Sequence, residues 1–334
     1  TYPLTVSLQG TPGVKSIRSM SGFGFSMVFV IFKDEVDYYW ARSRVLERMS
    51  VVSDRIPQGV TPVLAPDATA LGQVFWYTLE APGVDLGKLR SLQDWYVRYQ
   101  LQSVEGISEV AAVGGFVKQY QIDVHPDKMR AHRVTLPEIY EAVRKSNIDV
   151  GAKVIESSGM EFIVRGLGFI KSAEDIENTV VKYSNNTPVY VKNVAVVQLG
   201  PEFRRGALDK EGIEAVGGVI VMRYGENAMQ TIHRVKEKIK EIEKGLPPGV
   251  KIVPFYDRTE LIHRTIGTLK EALILEIIIT MAVVVPFLAH IFAGVIICLA
   301  LPISVLIAFI LMYYLKIDSN IMSISGIAIA IGAL

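Results

Sequence analysis

Residues 217–255 read GGVIVMRYGENAMQTIHRVKEKIKEIEKGLPPGVKIVPF, and their pattern is strand, turn, helix, turn, strand. A β-branched run leads to a turn at Gly225. Ile232, Val235, Ile239 and Ile242 then recur at helical spacing, as the apolar face of an amphipathic helix does. The Pro248–Gly249 pair stops that helix and turns the chain into the next strand. Residues 25–64, FSMVFVIFKDEVDYYWARSRVLERMSVVSDRIPQGVTPVL, repeat this grammar. A strand and an acidic turn lead into a helix of about 18 residues on which Val45, Met49 and Val52 recur, and Pro57 and Gly59 precede another expected strand.

A second pair of stretches is alike: TPGVKSIRSMSG (11–22) and VEGISEVAAVGG (104–115). Each is expected to enter a hairpin, with glycines at the tight turn. A strand-hairpin-helix-strand module thus occurs at least twice, which is the split β-α-β, ferredoxin-like arrangement. Residues 120–203 break the repeat, with a helix expected at about 135–146 and short strands at FIVRG (162–166), PVYVKN (188–193) and VAVVQLG (194–200). They read as an inserted α+β subdomain. Clefts between such subdomains are natural binding sites.

A length of 334 residues suggests two or three domains, and a net charge of +1 argues against a nucleic-acid-binding surface, which would need a basic excess. Half the residues are hydrophobic, unevenly placed: beyond Glu271 the Asp, Glu, Lys and Arg residues are Glu276, Lys316 and Asp318 alone. A bilayer core of roughly 30 Å takes about 20 helical residues. The charge-free run Ile277–Leu315 therefore holds two spans, expected at about 269–289 and 293–314, broken near HIFAG (290–294). A third is expected from about 319 to Leu334. Two buried core helices would also be apolar, but two consecutive uncharged helices have no polar face to show water. Pro286 and Pro302 are tolerated where neighbouring helices satisfy the freed carbonyls. Gly326/Ala330 and Ala328/Gly332 give the small-xxx-small spacing of close packing, which suits a general packing helix or the centre of a transport bundle. The short loop carries only His290, so charge sets no orientation. Glu276 lies near Lys270 and Glu271 and reads as an interfacial or bundle-facing carboxylate rather than an ion relay. The sole cysteine, Cys298, falls in the apolar region, which is compatible with an oxidising compartment without excluding the cytosol. Thr1 follows no Met or signal peptide, and Leu334 ends inside an apolar run, so a longer protein is expected at both ends.

Seven segments carry a family resemblance: YYWARSRVLERM (38–49), LAPDATALG (64–72), LRSLQDWYVRYQL (89–101), EVAAVGGFVKQYQIDV (109–124), LGPEFRRG (199–206), PPGVKIVPFYDRTELI (247–262) and NIMSISGIAIAIGAL (320–334). Together they resemble the N-terminal half of a resistance-nodulation-division (RND) efflux pump across essentially the whole chain. The first three resemble its heavy-metal branch, the copper/silver and cobalt/zinc/cadmium exporters. The resemblance implies a multidomain α+β membrane protein of AcrB-like fold. Residues 1–69 would be an incomplete first porter subdomain, 70–119 with 204–262 the second, 120–203 the docking insertion, and 263–334 the start of a transmembrane α-helical bundle. It further implies proton-driven efflux of heavy-metal cations, with no cofactor beyond the proton gradient and the transported ion. The setting would be the cell inner membrane, multi-pass, with a large periplasmic domain. The partners would be two further copies in a homotrimer, a periplasmic membrane-fusion adaptor, an outer-membrane channel and the lipid bilayer, with no nucleic acid. An RND pump for organic compounds, or a membrane-anchored adaptor that transports nothing, are the alternatives.

The resemblance also singles out residues. Met322 matches a methionine of a membrane relay in copper/silver members, and a soft thioether suits Cu(I) or Ag(I). The next relay methionine is Leu334 here, which leaves zinc, cobalt and cadmium open, and methionine is also an ordinary core filler. Arg18 matches a basic residue of the substrate pathway, or is a surface arginine, while a nearby acidic residue of those members is Phe25 here. The proton-relay carboxylate is expected just beyond Leu334, so no residue is assigned a catalytic role. From residue type alone, His125, Asp127, Met129 and His132 could ligate a metal, although zinc prefers tighter spacing. Trp76, Tyr77, Trp95 and Tyr96 read as core, and Arg204 and Arg205 as ion-pair partners. No phosphate loop, nucleophile elbow or CxxC pair is present, and FGF around Gly24 is no nucleotide fingerprint.

Overall fold

Helix α1 (Tyr2–Gln9), strands β1 (Val14–Gly22) and β2 (Phe25–Phe32) and helix α2 (Tyr38–Val52) make up residues 1–68, the first of two compact units. The computed structural model describes all residues except 185, 205, 289, 290, 316, 318–320 and 334. The side chains of 53, 152 and 153, and scattered ones in 269–333, also lie outside the description. β1 and β2 pair antiparallel from Val14↔Phe32 to Gly22↔Phe25, which leaves Phe23 and Gly24 as a two-residue turn. Gly24, the second turn residue, takes φ +77°, the left-handed region that glycine enters without a Cβ penalty. α2 starts where Asp37 accepts the Trp40 amide at 2.7 Å. It buries Ala41, Val45 and Val52, with Met49 half-buried. The Arg42 guanidinium donates to the carbonyls of Ala65 and Pro66, at 2.8 and 3.1 Å, and ties the following segment to the helix. The strand expected after Gly59 does not form. Its counterpart in the second unit pairs with that module's first strand. Ahead of β1 in this unit stands helix α1, which offers no sheet edge.

Residues 69–334 form the second unit. Its first strand, β3 (Gln73–Glu80), leads into α3 (Leu86–Leu92), a π-helical turn (Gln93–Val97), α4 (Arg98–Gln102) and β4 (Ile107–Gly114). The chain then leaves for the insertion: β5 (Lys118–Val124), α5 (Pro126–His132), α6 (Leu136–Ser146), β6 (Val150–Ser157), β7 (Met160–Gly166), α7 (Ala173–Glu177), β8 (Val180–Ser184), β9 (Thr187–Tyr190), α8 (Val191–Val194) and β10 (Ala195–Pro201). β5 and β10 pair antiparallel from Lys118↔Pro201 to Val124↔Ala195 and close the insertion at its base. Ile176, Val191, Ala195 and Val197 form one small core there, and Val134, Ile139, Val189 and Val194 another. The Glu138 carboxylate accepts the amide and hydroxyl of Thr135, at 2.6 and 2.8 Å, and so fixes the start of α6. Those two bonds, amide first, hold Glu138 below the usual carboxylate range. The strand expected over PVYVKN ends at Tyr190. Asn193 accepts the Tyr190 amide at 2.8 Å and folds VKNV into a single helical turn.

The chain returns through β11 (Leu208–Lys210) and β12 (Ile213–Met222), then α9 (Ala228–Glu243) and β13 (Lys251–Asp257). The main sheet runs β13–β3–β12–β4, with each neighbouring pair antiparallel. β3 and β4, joined by helices, are split by β12, which is the ferredoxin-like signature. The hairpin expected directly after residues 104–115 is therefore corrected. β4 pairs with β12, Gly114 opposite Val216, and the whole insertion occupies the turn between them. β5, next in sequence, pairs with β10 instead. Thr231, Ile232, Val235, Ile239 and Ile242 form the buried face of α9, beside Val74, Phe75 and Tyr77 of β3 and Val110 of β4 in one core. Each such aliphatic side chain contributes about 1.5–3 kcal/mol by burial.

Three helices end the chain: α10 (Arg258–Leu288), α11 (Ile291–Tyr314) and α12 (Ile321–Ala333), with α10 packed against both others. α10 begins ahead of the span expected at about 269, as a continuous rod out of β13. α11 runs 24 residues. Counting the described residues alone, no helix is long and apolar enough to cross a membrane. The expected break at His290, the polar residues Lys316 and Asp318, the side chains of Glu276 and Cys298, and Leu334 lie outside the described residues.

Candidate functional site

Arg18 is an exposed residue of β1, directly across the hairpin from Phe29. The Phe25 ring lies over Gly22, where a Cβ would come within 2.3 Å of it, so the aromatic fills the space that glycine leaves. Met322 lies near the start of α12 with 81 % of its surface exposed. His125, Asp127, Met129 and His132 do not converge: His125 precedes α5, Asp127 pairs with Arg130 at 3.7 Å, and Met129 packs on an insertion core. Among the described residues, no group of three or more His, Cys, Asp or Glu is placed to hold a metal ion. Arg204 forms an ion pair with Glu214, and Arg205 lies outside the described residues.

The aromatic set divides. Tyr77 is fully buried, and Trp76 meets Phe255 and Tyr256 edge-on, at 5.8 and 6.1 Å between centroids. Trp95, expected in the core, is 74 % exposed and lies 6.3 Å from the Tyr99 ring. Gln93 and Val97, four residues apart and both fully buried, set the inward face, and Trp95, two residues from each, falls on the opposite side of the helix.

One pair escaped the sequence reading. Met20 of β1 and Met27 of β2 stand directly opposite each other, on the same face as Arg18. The signal was present: a two-residue turn at Phe23–Gly24 fixes a register in which these methionines must meet. Two thioethers at cross-strand distance offer soft donors.

A concavity lies where α9 and β13 meet the first turns of α10. Asp257, the last residue of β13, pairs with the Lys236 ammonium and accepts the Thr259 amide at 2.9 Å. Burial alone would raise its pKa, but the Lys236 and Thr259 hydrogen bonds outweigh it and hold the carboxyl below the usual aspartate range. A cavity of about 470 Å³ opens here, lined by Met229, His233, Arg234, Lys236, Thr259 and His263 among others. A second, of about 310 Å³, includes Phe255, Tyr256, Asp257, Glu260 and Arg264. These linings hold charged and heteroatom-bearing side chains over an apolar floor, which suits an ion or small polar ligand.

Comparison with known proteins gives this architecture its place. A profile of the AcrB/AcrD/AcrF family matches residues 1–334. The chain is 43% identical over 338 residues to the putative cation efflux system protein SilA of Salmonella typhimurium, covering 100% of the chain and 32% of that protein. It is 43% identical to the cation efflux system protein CusA of Escherichia coli K12, at the same coverage. Its identity to the cobalt-zinc-cadmium resistance protein CzcA of Cupriavidus metallidurans is 36%, over 98% of the chain and 32% of that protein. The chain thus spans about a third of the length of the curated relatives it matches. In structure it matches the X-ray crystal structure of a heavy metal efflux pump (crystal form II) with a TM-score of 0.87 and 32% identity, over 96% of this chain and 32% of that one. The resemblance to heavy-metal RND pumps is borne out from end to end, and the chain belongs to the AcrB/AcrD/AcrF family.

Proposed function

We propose that this chain is part of an inner-membrane RND pump that exports heavy-metal cations, copper/silver or zinc/cobalt/cadmium, by proton antiport. The whole-chain likeness to a heavy metal efflux pump carries the reading. On it, residues 1–69 belong to a first porter subdomain, 70–119 with 204–262 to a second, and 120–203 to a docking subdomain. The ferredoxin-like sheet and the insertion between β4 and β12 support that division. Residues 263–334 begin the membrane bundle, supported by the absence of Asp, Glu, Lys and Arg from Ile277 to Leu315. The pump works as a homotrimer with a periplasmic adaptor and an outer-membrane channel, and it is a transporter rather than an enzyme. Arg18 lies on the substrate pathway, and the Met322 thioether is a soft donor for a passing cation. Expression of the full-length gene in a pump-deleted, metal-sensitive host tests this. Raised tolerance to copper, silver, zinc, cobalt or cadmium is the expected result. Unchanged tolerance to all five, with raised tolerance to dyes or detergents, would overturn it in favour of organic cargo.

A further inference from the structure

We propose that the 470 Å³ cavity between α9 and α10 is a binding site for a soft monovalent cation of the Cu(I)/Ag(I) type, held by the Met229 thioether and the imidazoles of His233 and His263. Two independent features point there. First, α9 carries more than its packing needs. Its core face is Thr231, Ile232, Val235, Ile239 and Ile242, all buried. Met229, His233 and Lys236 form a second stripe, at the i, i+4, i+7 spacing that stacks side chains on one helix face. That stripe lines the cavity, and Lys236 also reaches Asp257 at the end of β13. Second, α10 supplies the opposite wall at the same spacing, with Thr259 and His263 four residues apart. The donors therefore come from two elements packed against each other, with Met229 half-buried and His233 and His263 exposed at the cavity wall.

Charge and softness select the ligand. The two fixed cations of the lining are already engaged: Lys236 with Asp257, and Arg234 with Glu105 at 3.5 Å. The cavity is thus not left with the cationic excess that would draw an anion. One thioether and two imidazoles, with no carboxylate or thiolate among the three, suit copper or silver and serve a hard dication such as Mg²⁺ or Ca²⁺ poorly. A few soft donors are enough for a low-coordinate monovalent ion, whereas a structural zinc site takes four ligands. The assignment rests on the metal-export reading only for its biological role, because the site is defined by side chains and is measured without transport.

The chain has five histidines, so each can be followed by mass spectrometry after diethylpyrocarbonate modification of the purified full chain in detergent. Ag(I), which is redox-inert, is the probe. With free silver at about ten times the dissociation constant, modification of His233 and His263 falls about tenfold, together, while His125 and His132 stay reactive. Met229→Leu weakens the protection at both imidazoles, and His263→Gln weakens it at His233. These substitutions spare the core face of α9, and unchanged thermal melting confirms the fold. No protection, protection of all histidines alike, or protection of His233 that survives both substitutions overturns the site. If the protection holds but the full-length gene confers no metal tolerance, the export reading fails while the site stands. Tolerance without protection gives the reverse.

Discussion

The Tyr77 hydroxyl lies 3.0 Å from Gln93 Oε1, and neither residue has any surface left to water. The Gln93 Nε2 lies 2.9 Å from the same hydroxyl oxygen, so a strand and a π-helical turn are joined by a polar side-chain pair within a largely apolar core. Burial, more than the Gln93 hydrogen bond can offset, pushes the Tyr77 pKa well above the usual tyrosine value, so the phenol stays a donor.

Removing one partner strands the other. Tyr77→Phe and Gln93→Leu should each cost about 1–3 kcal/mol, because each leaves a buried polar group unsatisfied. The double variant should lose less than the sum, with a coupling of about 1 kcal/mol or more. Denaturant unfolding of the four proteins measures it, and strict additivity would show that the contact does not hold the turn.

Gly114 marks the point where β4 hands the chain to the insertion. Its φ is +79°, and a Cβ there would lie 2.1 Å from the Ala215 carbonyl oxygen of β12. Gly114→Ala should cost about 2–3 kcal/mol, from strain and a clash with backbone that cannot yield. Gly225→Ala has a similar φ, +86°, with nothing within 4 Å of the added carbon, and should cost only about 1 kcal/mol. Melting curves of the two variants separate strain from collision.

Asp257 gives the second unit an acid-sensitive joint at the base of α10. Its carboxyl binds a proton less readily folded than unfolded, against burial, because of Lys236 and Thr259. Its contribution is therefore present above the unfolded aspartate value of about 4 and is lost as the pH falls through and below it, where the unfolded chain takes up more protons. Asp257→Asn should flatten the fall in melting temperature over that acid window and change little near neutrality. An unchanged acid limb would remove the role given to this ion pair.

The local grammar of the fold was legible in the sequence, and the long-range pairing was not. The α9 stripe of Ile232, Val235, Ile239 and Ile242 is buried as its spacing demands, and α6 occupies the expected stretch. The Gly114–Gly115 pair signalled a turn, but nothing local shows that the turn holds a subdomain and that the partner strand returns only at Ile213. A residue's partner is a property of the whole chain. Trp95 reads as core by its aromatic character alone, whereas helical spacing puts it opposite the buried Gln93 and Val97, which is where the structure has it. The Met20–Met27 pair was readable from the hairpin register, yet the resemblance drew attention to Arg18 beside it. The 470 Å³ cavity was not readable, since it joins His233 to His263 only once α9 packs on α10.

If residues 269–333 sit in lipid, the full-length protein should remain in the pellet after alkaline carbonate washing of membranes, while peripheral proteins are released. Release into the wash would contradict the bundle proposed for α10, α11 and α12.

Cell-associated metal, measured by mass spectrometry in cells expressing the full-length gene with its adaptor and channel, tests metal export most directly. At least one of copper, silver, zinc, cobalt and cadmium should fall several-fold below the vector control, and a protonophore should abolish the difference. Equal metal content with and without the gene, for all five, would contradict the account.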